Sequence, residues 1–333
     1  MTKMDDVAKL ANVSTATVSR VLSKNPNVSL KTQRRVLEAV DILGYKPNRL
    51  ASNFRKRSSK TVVVVLPDIT NSFFSKIVQG LEEVAQSRGY HVLLGDTRNN
   101  VESERNFIDL VNQKFVDGMI LATARLPKEE ILAVSQEIPI VLACEYFDGF
   151  DIPTVTIDNV SAAREATQHL VNLGHRRIGF ISGPLSIVLG RDRLKGYRQA
   201  MLINELPVEE SLIQEGDFTV QAGYNAMMKL MASNHPPSAI FAASDEMAIG
   251  AMKAARNKGL NVPEDVSIIG FDDIPAGTYV HPELTTIRQP AFEIGTQAMN
   301  LLLDMIKGCA KERKQLVLPH QVVLRETTTS PRG

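Results

Sequence analysis

The sequence predicts an N-terminal all-α helix-turn-helix head followed by an α/β body of two doubly wound, parallel-sheet lobes. Three observations carry this expectation: two short amphipathic helices joined by a tight bend at the start of the chain, a lopsided charge distribution, and a strand–helix alternation that runs through twice.

The head comes first. Between Asp5 and Leu22 the apolar residues Val7, Leu10 and Ala11, then Val18, Val21 and Leu22, recur at helical spacing. Asn12-Val13-Ser14 leaves room only for a bend, and the Ser14 hydroxyl is suited to accept a first-turn amide of the second helix. Two helices joined in this way can place the second in a DNA major groove, although a corner in any small helical domain has the same spacing. Its outward residues are Thr15, Ala16, Thr17, Ser19 and Arg20. Small side chains let the helix approach base edges, and Arg20 supplies one long bidentate donor for a guanine. A third helix is expected over 29–43, capped by Ser29, with a core stripe of Val36, Leu37, Val40 and Leu43 and a stop at Gly44. Its Lys31, Arg34 and Arg35 suit a phosphate-facing or a solvated surface equally well.

Charge supports the division. The whole chain is only +1, but residues 1–60 hold 13 Lys and Arg against 4 Asp and Glu. The rest holds 25 against 33, so a basic head precedes an acidic body, as local nucleic-acid contact requires. Cys144 and Cys309 sit in apolar sequence without metal-ligand spacing and read as free thiols of a reducing compartment. No apolar run approaches the roughly 20 residues that span a bilayer. The helix-turn-helix leaves no room for a signal peptide, so a cytoplasmic protein without a membrane partner is expected.

From Thr61 the texture changes. Thr61–Leu66 is a continuous β-branched run, as in a strand buried on both faces of a parallel sheet. It is followed by helix 73–86, strand 90–95, helix 102–113 and strands 118–122, 138–143 and 154–159. A second set runs helix 160–173, strand 177–182, helices 193–203 and 221–231, strand 238–243, helix 245–258 and strand 266–271. Helix 291–307 is expected to return to the first lobe and strand 320–325 to the second, which implies a hinge and a cleft between them. The boundaries are therefore a head at 1–47, a hinge at 48–60 and a body at 61–333, with lobe 1 about 61–159 and 290–318, and lobe 2 about 160–289 and 319–333.

The wording of the head, Asp-Val-Ala-x-x-Ala-x-Val-Ser-x-x-Thr-Val-Ser-Arg-Val-Leu over residues 6–22, resembles the signature of the lactose/galactose repressor (LacI/GalR) family. Gly44-Tyr45-Lys46-Pro47-Asn48 matches that family's Gly-Tyr-x-Pro-Asn, and the body resembles its periplasmic-binding-protein-like sensor. The resemblance implies a homodimeric regulator that binds a near-palindromic operator under control of a small-molecule effector. Base readout falls to Thr15, Ala16 and Arg20, and phosphate contacts to Ser14, Thr17, Tyr45, Asn48 and Arg55. The hinge wedge, usually Leu in relatives, falls on Phe54, where a phenyl ring can still unstack a base step.

Ligands of open α/β sheets bind beyond the carboxyl ends of the strands. Phe73-Phe74 after the first strand can stack on a ligand, with at least one ring expected in the core. The resemblance assigns effector contacts to Phe73, Phe74, Thr123, Glu145, Arg193, Phe218 and Asp272. Arg193 and Asp272 together suit a vicinal diol, donating to one oxygen and accepting from its neighbour; without the resemblance, a surface ion pair is the default. Within the family, Val64 to Asp96, Gly216-Asp217-Phe218-Thr219 and Pro263 to Asp272 are most similar to the cytidine-responsive branch, which implies a nucleoside effector, with a sugar as the alternative. Ile187 and Leu189 replace the polar residues with which purine-responsive members hold a free base.

Two rivals remain: a sugar-binding carrier, and a catabolite-control regulator activated by a phosphorylated partner protein. No dinucleotide fingerprint, phosphate loop, nucleophile elbow or zincin motif occurs, and the six histidines lack metal-like spacing, so neither catalysis nor a metal or other cofactor is expected. The chain stops at Gly333 without a heptad tail, from which a dimer rather than a tetramer is expected.

Overall fold

The computed structural model describes residues 2–23, 25–45, 58–113, 115–123, 125–147, 152–309 and 315–332. Asn48, Phe54 and Arg55 lie outside the described residues. The chain divides into two compact units, Met1–Ser59 and Lys60–Gly333.

Among the described residues, the first unit holds three helices, α1 (Met4–Leu10), α2 (Thr15–Leu22) and α3 (Leu30–Leu43). Val7, Ala8, Ala11, Val18, Val21, Val36, Ala39 and Tyr45 form its core. Ser14 and Ser29 cap α2 and α3 by accepting from Thr17 N and Thr32 N, and Gly44 ends α3 in the left-handed region at φ 55°. The bend between α1 and α2 turns on Asn12, whose φ is 48°.

In the second unit, sheet A has strand order β11-β5-β4-β3-β1-β2 and sheet B has β12-β10-β9-β8-β6-β7. In sheet A these are β1 (Thr61–Leu66), β2 (His91–Asp96), β3 (Gly118–Leu121), β4 (Ile140–Ala143), β5 (Thr154–Ile157) and β11 (Gln315–Leu318). In sheet B they are β6 (Ile178–Ser182), β7 (Ile213–Glu215), β8 (Ala239–Ala242), β9 (Ser267–Asp272), β10 (Thr285–Arg288) and β12 (Gln321–Val323). The β1 run is continuous because both faces are covered: Val62, Val64 and Leu66 enter one core cluster, Val63 and Val65 the other.

The helices of the body are α4 (Ser72–Ser87), α5 (Val101–Asn112), α6 (Lys128–Glu137), α7 (Asn159–Asn172), α8 (Val188–Ile203), α9 (Val220–Leu230), α10 (Asp245–Asn257) and α11 (Ala291–Ile306). The α7–α8, α9–α10 and α4–α11 pairs pack face to face. The chain passes between the sheets three times: after β5, after β10 and between β11 and β12.

The structure differs from the sequence reading in particular places. Helix α6 and strands β7, β10 and β11 were not expected, because they are short or lack a periodic apolar face. Strand β12 runs antiparallel to β10, an exception to the all-parallel expectation. Helix α8 begins at Val188 rather than Arg193, so Gly190 and Arg191 are helical and not in a loop. Gly190 is accepted there because the helix passes so close to the Pro184 carbonyl that a Cβ would lie 2.2 Å from its oxygen. Cys144 is buried as expected, whereas Cys309 is exposed.

Helices α4 and α11 meet through two glycines. A Cβ at Gly80 would lie 2.2 Å from the Phe292 carbonyl oxygen, and one at Gly295 would lie 2.1 Å from that of Ile77. Backbone cannot yield as a side chain can, so Gly295→Val is expected to destabilise the body by about 1–3 kcal/mol. A lowered urea midpoint checks this; an unchanged midpoint would show that the two helices part without cost.

Candidate functional site

The head presents a polar helix face. Ser14, Thr15, Ala16 and Arg20 are exposed along the start and outer side of α2, and Thr17 is half-buried. Ser14 Oγ accepts from Thr17 N at 3.2 Å and lies 3.0 Å from Thr17 Oγ1, so the cap also orients the threonine hydroxyl. Arg35 Nη2 donates to the Asn12 carbonyl at 3.2 Å and so braces the bend as well as adding charge. Tyr45, which the resemblance places on phosphate, is 8% exposed, and its ring packs among the head's apolar residues.

The body holds a cleft between the carboxyl ends of the two sheets, about 610 Å³ counting its open mouth. That is enough for a nucleoside or a small saccharide. Lobe 1 contributes Asp68, Asn71, Phe73, Phe74, Arg125 and Glu145, and lobe 2 contributes Leu189, Arg193, Asp217, Phe218 and Asp272. Phe73 and Phe74 meet edge to face at 5.3 Å, the first buried and the second half-buried. Phe218 has a φ of 67° and rests on Gly183, where a Cβ would lie 2.0 Å from the ring.

Arg193 and Asp272 form the buried charge pair of lobe 2. Arg193 Nη1 lies 3.9 Å from Asp272 Oδ1 and donates to the Ala243 carbonyl at 2.6 Å, while Nε donates to Asn159 Oδ1 at 3.0 Å. Its guanidinium stacks 3.7 Å from the Phe271 ring centroid. Asp272, with φ 122°, accepts from Gln289 Nε2 at 2.7 Å. Its neighbour Asp273 is taken up by Arg288 and Arg325, at 2.5 Å each, which leaves Asp272 alone to face the cleft.

Burial raises the Asp272 carboxyl above its usual range, against the opposing pull of Arg193 and the Gln289 hydrogen bond. The deeper Asp245 is raised by burial and by Asp272, although Thr286 Oγ1 and Ile274 N both donate to it. Asp273 goes the other way: burial opposes its ionisation, but hydrogen bonds from Arg288 and Arg325 outweigh that and lower it. Burial also lowers Arg193, which its carboxylate neighbours resist.

A second pair sits in lobe 1. Arg125 Nη1 donates to both Glu145 oxygens at 2.9 Å, and Nη2 donates to Asn99 Oδ1 at 3.2 Å. Sequence reading found Glu145 but missed Arg125, which lies just past the end of β3, where the search beyond strand ends applied. It missed Gln289 because β10 was not recognised. Thr123, expected on effector, is not among the residues lining the cleft; fully buried, it donates to Glu104 Oε2 at 3.3 Å. Among the described residues no group of three His, Cys, Asp or Glu is arranged to hold a metal, and no helix is long and apolar enough to cross a membrane.

Comparison with known proteins places this geometry among relatives. A family model described as bacterial regulatory proteins, lacI family, matches residues 3–48, and one for periplasmic binding proteins and the sugar binding domain of the LacI family matches 59–326. The HTH-type transcriptional repressor CytR of Escherichia coli K12 is 43% identical over 98% of this chain and 96% of its own. Catabolite control protein A of Priestia megaterium is 38% identical over 97% of this chain and 98% of its own. The lac repressor dimer bound to operator and the anti-inducer ONPF has a TM-score of 0.89 at 30% identity, covering 98% of this chain and 99% of that one. The complex of the transcriptional regulator CelR with cellobiose has a TM-score of 0.76 at 32% identity, covering 98% and 100%.

The raised pair sets a pH dependence. A carboxyl raised by folding adds stability below its unfolded value, about 3.9 for Asp, and that contribution is gone once pH has risen through the folded value. A ligand whose hydroxyls donate to Asp272 needs the carboxylate, and binding it releases protons in that window. Calorimetric affinity is therefore expected to fall as pH drops from about 8 to about 5, with proton release on binding. An affinity flat across that range would remove Asp272 from the contact.

Proposed function

The chain belongs to the LacI family of bacterial regulatory proteins, and from that premise we propose that it is a transcriptional repressor whose operator affinity is set by a nucleoside held in the cleft. The observation that carries the effector reading is the cleft's composition. Aromatic rings from both lobes line the same space as two separate buried arginine–carboxylate pairs. A nucleoside has a flat base to stack and a ribose diol to hydrogen-bond, and so makes use of both. Similarity to CytR supports this choice. A sugar effector is the second reading, favoured by the Arg193–Asp272 pair taken alone and by the cellobiose complex of CelR.

The working unit in this reading is a cytoplasmic homodimer. Two heads joined by a two-fold axis read the half-sites of a near-palindrome, as the lac repressor relative binds operator as a dimer. Thr15, Ala16 and Arg20 face base edges, Ser14 and Thr17 face phosphate, and the hinge from Asn48 through Phe54 and Arg55 completes the contact. Effector in the cleft changes lobe geometry and with it the operator affinity of the dimer. No catalytic step belongs to this function.

Mobility shift on a promoter fragment of the protein's own locus, with and without cytidine, adenosine and a panel of pentoses, tests the reading. Retardation that a nucleoside alters and free pentoses leave unchanged is the expected result; a response confined to sugars overturns the nucleoside. Arg20→Ala is expected to cost about 1–3 kcal/mol and to relax specificity at one operator position, measured by anisotropy on a set of single-base operator variants. Equal loss on every sequence contradicts a base-reading role.

A further inference from the structure

We propose that Asp245 is the positioning residue for Asp272: by pinning the turn after β9 to α10 and β10, it sets the direction in which the Asp272 carboxylate faces the cleft. This rests on the reading of Asp272 as the acceptor for ligand hydroxyls. Asp245 is the first residue of α10 and is fully buried, yet it is not among the residues lining the cleft. Among the described residues no ion pair holds it there. A buried carboxyl without a basic partner costs stability, and an apolar residue of similar size would serve the core at least as well. Packing alone therefore does not account for it.

The sheet shows what the carboxyl does. Gly270 of β9 and Thr286 of β10 are cross-strand partners, and the Asp245 carboxyl sits on that rung. A Cβ at Gly270 would lie 2.2 Å from Asp245 Oδ1, so glycine is what leaves room for it. Thr286 Oγ1 donates to Oδ1 at 2.5 Å, and Ile274 N donates to Oδ2 at 2.8 Å. Between Gly270 and Ile274 the backbone passes through two positive φ values, 122° at Asp272 and 59° at Asp273. Residues other than glycine keep such values only where their surroundings impose them. Gln289 holds the Asp272 side chain, Arg288 and Arg325 hold that of Asp273, and Asp245 holds Ile274 N. Of these holds, the one from Asp245 is made to the main chain, and so it fixes the backbone from which Asp272 projects. Burial, and then the Asp272 charge, raise Asp245, whereas Arg193 and Gln289 restrain the rise of Asp272; Asp245 is thus the carboxyl that keeps its proton. A protonated Oδ1 donates to Thr286 Oγ1, which lies 3.5 Å from the Ile287 carbonyl oxygen, and Oδ2 still accepts from Ile274 N. An asparagine amide can reproduce that pattern, donating through Nδ2 and accepting through Oδ1.

Titration calorimetry of the full-length protein tests the assignment, with cytidine, adenosine and ribose as probes and with wild type, Asp245→Ala, Asp272→Asn and the double variant compared. Asp245→Ala is expected to weaken binding of the probe about tenfold, and Asp245→Asn to regain most of that loss. Because Asp245 acts through Asp272, the two losses do not add: in the Asp272→Asn background, Asp245→Ala is expected to cost less than about twofold. Should Asp245→Ala not fold, Thr286→Val, which removes one of the carboxyl's two donors, is read through the same cycle, with Thr286→Ser as the rescue. Additive losses, or an alanine variant that binds within about twofold of wild type, overturn the role of Asp245 while leaving Asp272 as the ligand's acceptor. No loss in Asp272→Asn, or no heat from any probe, overturns that reading of Asp272 and this one with it.

Discussion

Two opposite charges, Arg193 and Asp272, lie buried at the carboxyl end of sheet B, and each must be hydrogen-bonded to be held there. Their partners are placed where the lobes join. Asn159, which takes Arg193 Nε, opens α7 just after the chain leaves β5 of sheet A. Gln289, which donates to Asp272, follows β10 on the way back to α11. The two charged side chains of the cleft are thus fixed by residues at two of the three passages between the sheets. A ligand that re-pairs Arg193 or Asp272 would act on segments that join the lobes, and any switch made in this way can be no stronger than the ligand's preference for one lobe arrangement.

The lobes present equivalent loops to that cleft. In lobe 1, Asp68 accepts from the backbone and hydroxyl of Thr70 ahead of α4; in lobe 2, Asp217 does the same for Thr219 ahead of α9. Each loop delivers aromatic rings, Phe73 and Phe74 on one side and Phe218 on the other. Left-handed backbone at Cys144, Phe218, Asp272 and Asp273 gathers at or just after the ends of strands β4, β7 and β9. Non-glycine residues hold such conformations only where the surrounding structure imposes them, as clamps for ligands do.

Much of this was legible in the sequence because it is local. The Ser14 cap, the glycine stop at Gly44 and the all-apolar β1 follow from capping chemistry and periodicity, and each lies where expected. The cleft was legible through the rule that loops after parallel strands face ligands, which brought out Phe73 and Asp272, whereas Glu145 and Phe218 came from the family resemblance. The burial of Tyr45 and Thr123 and the role of Gln289 were not legible, for a different reason. Whether a tyrosine or threonine near a binding face turns outward or inward depends on tertiary packing, and Gln289 gains its role only from a strand whose four residues carry too little pattern to announce themselves.

The most direct measurement is of linkage between the head and the cleft in the intact protein. Effector affinity is determined by calorimetry for the free protein and for the protein saturated with operator DNA, and operator affinity by anisotropy without and with saturating effector. Binding at two coupled sites must change both affinities by one common factor, about 5- to 150-fold for typical allosteric coupling. Equal factors in that range are the predicted result. Effector affinity unchanged by operator, with the ligand still bound in the cleft, would contradict control of the head by the body.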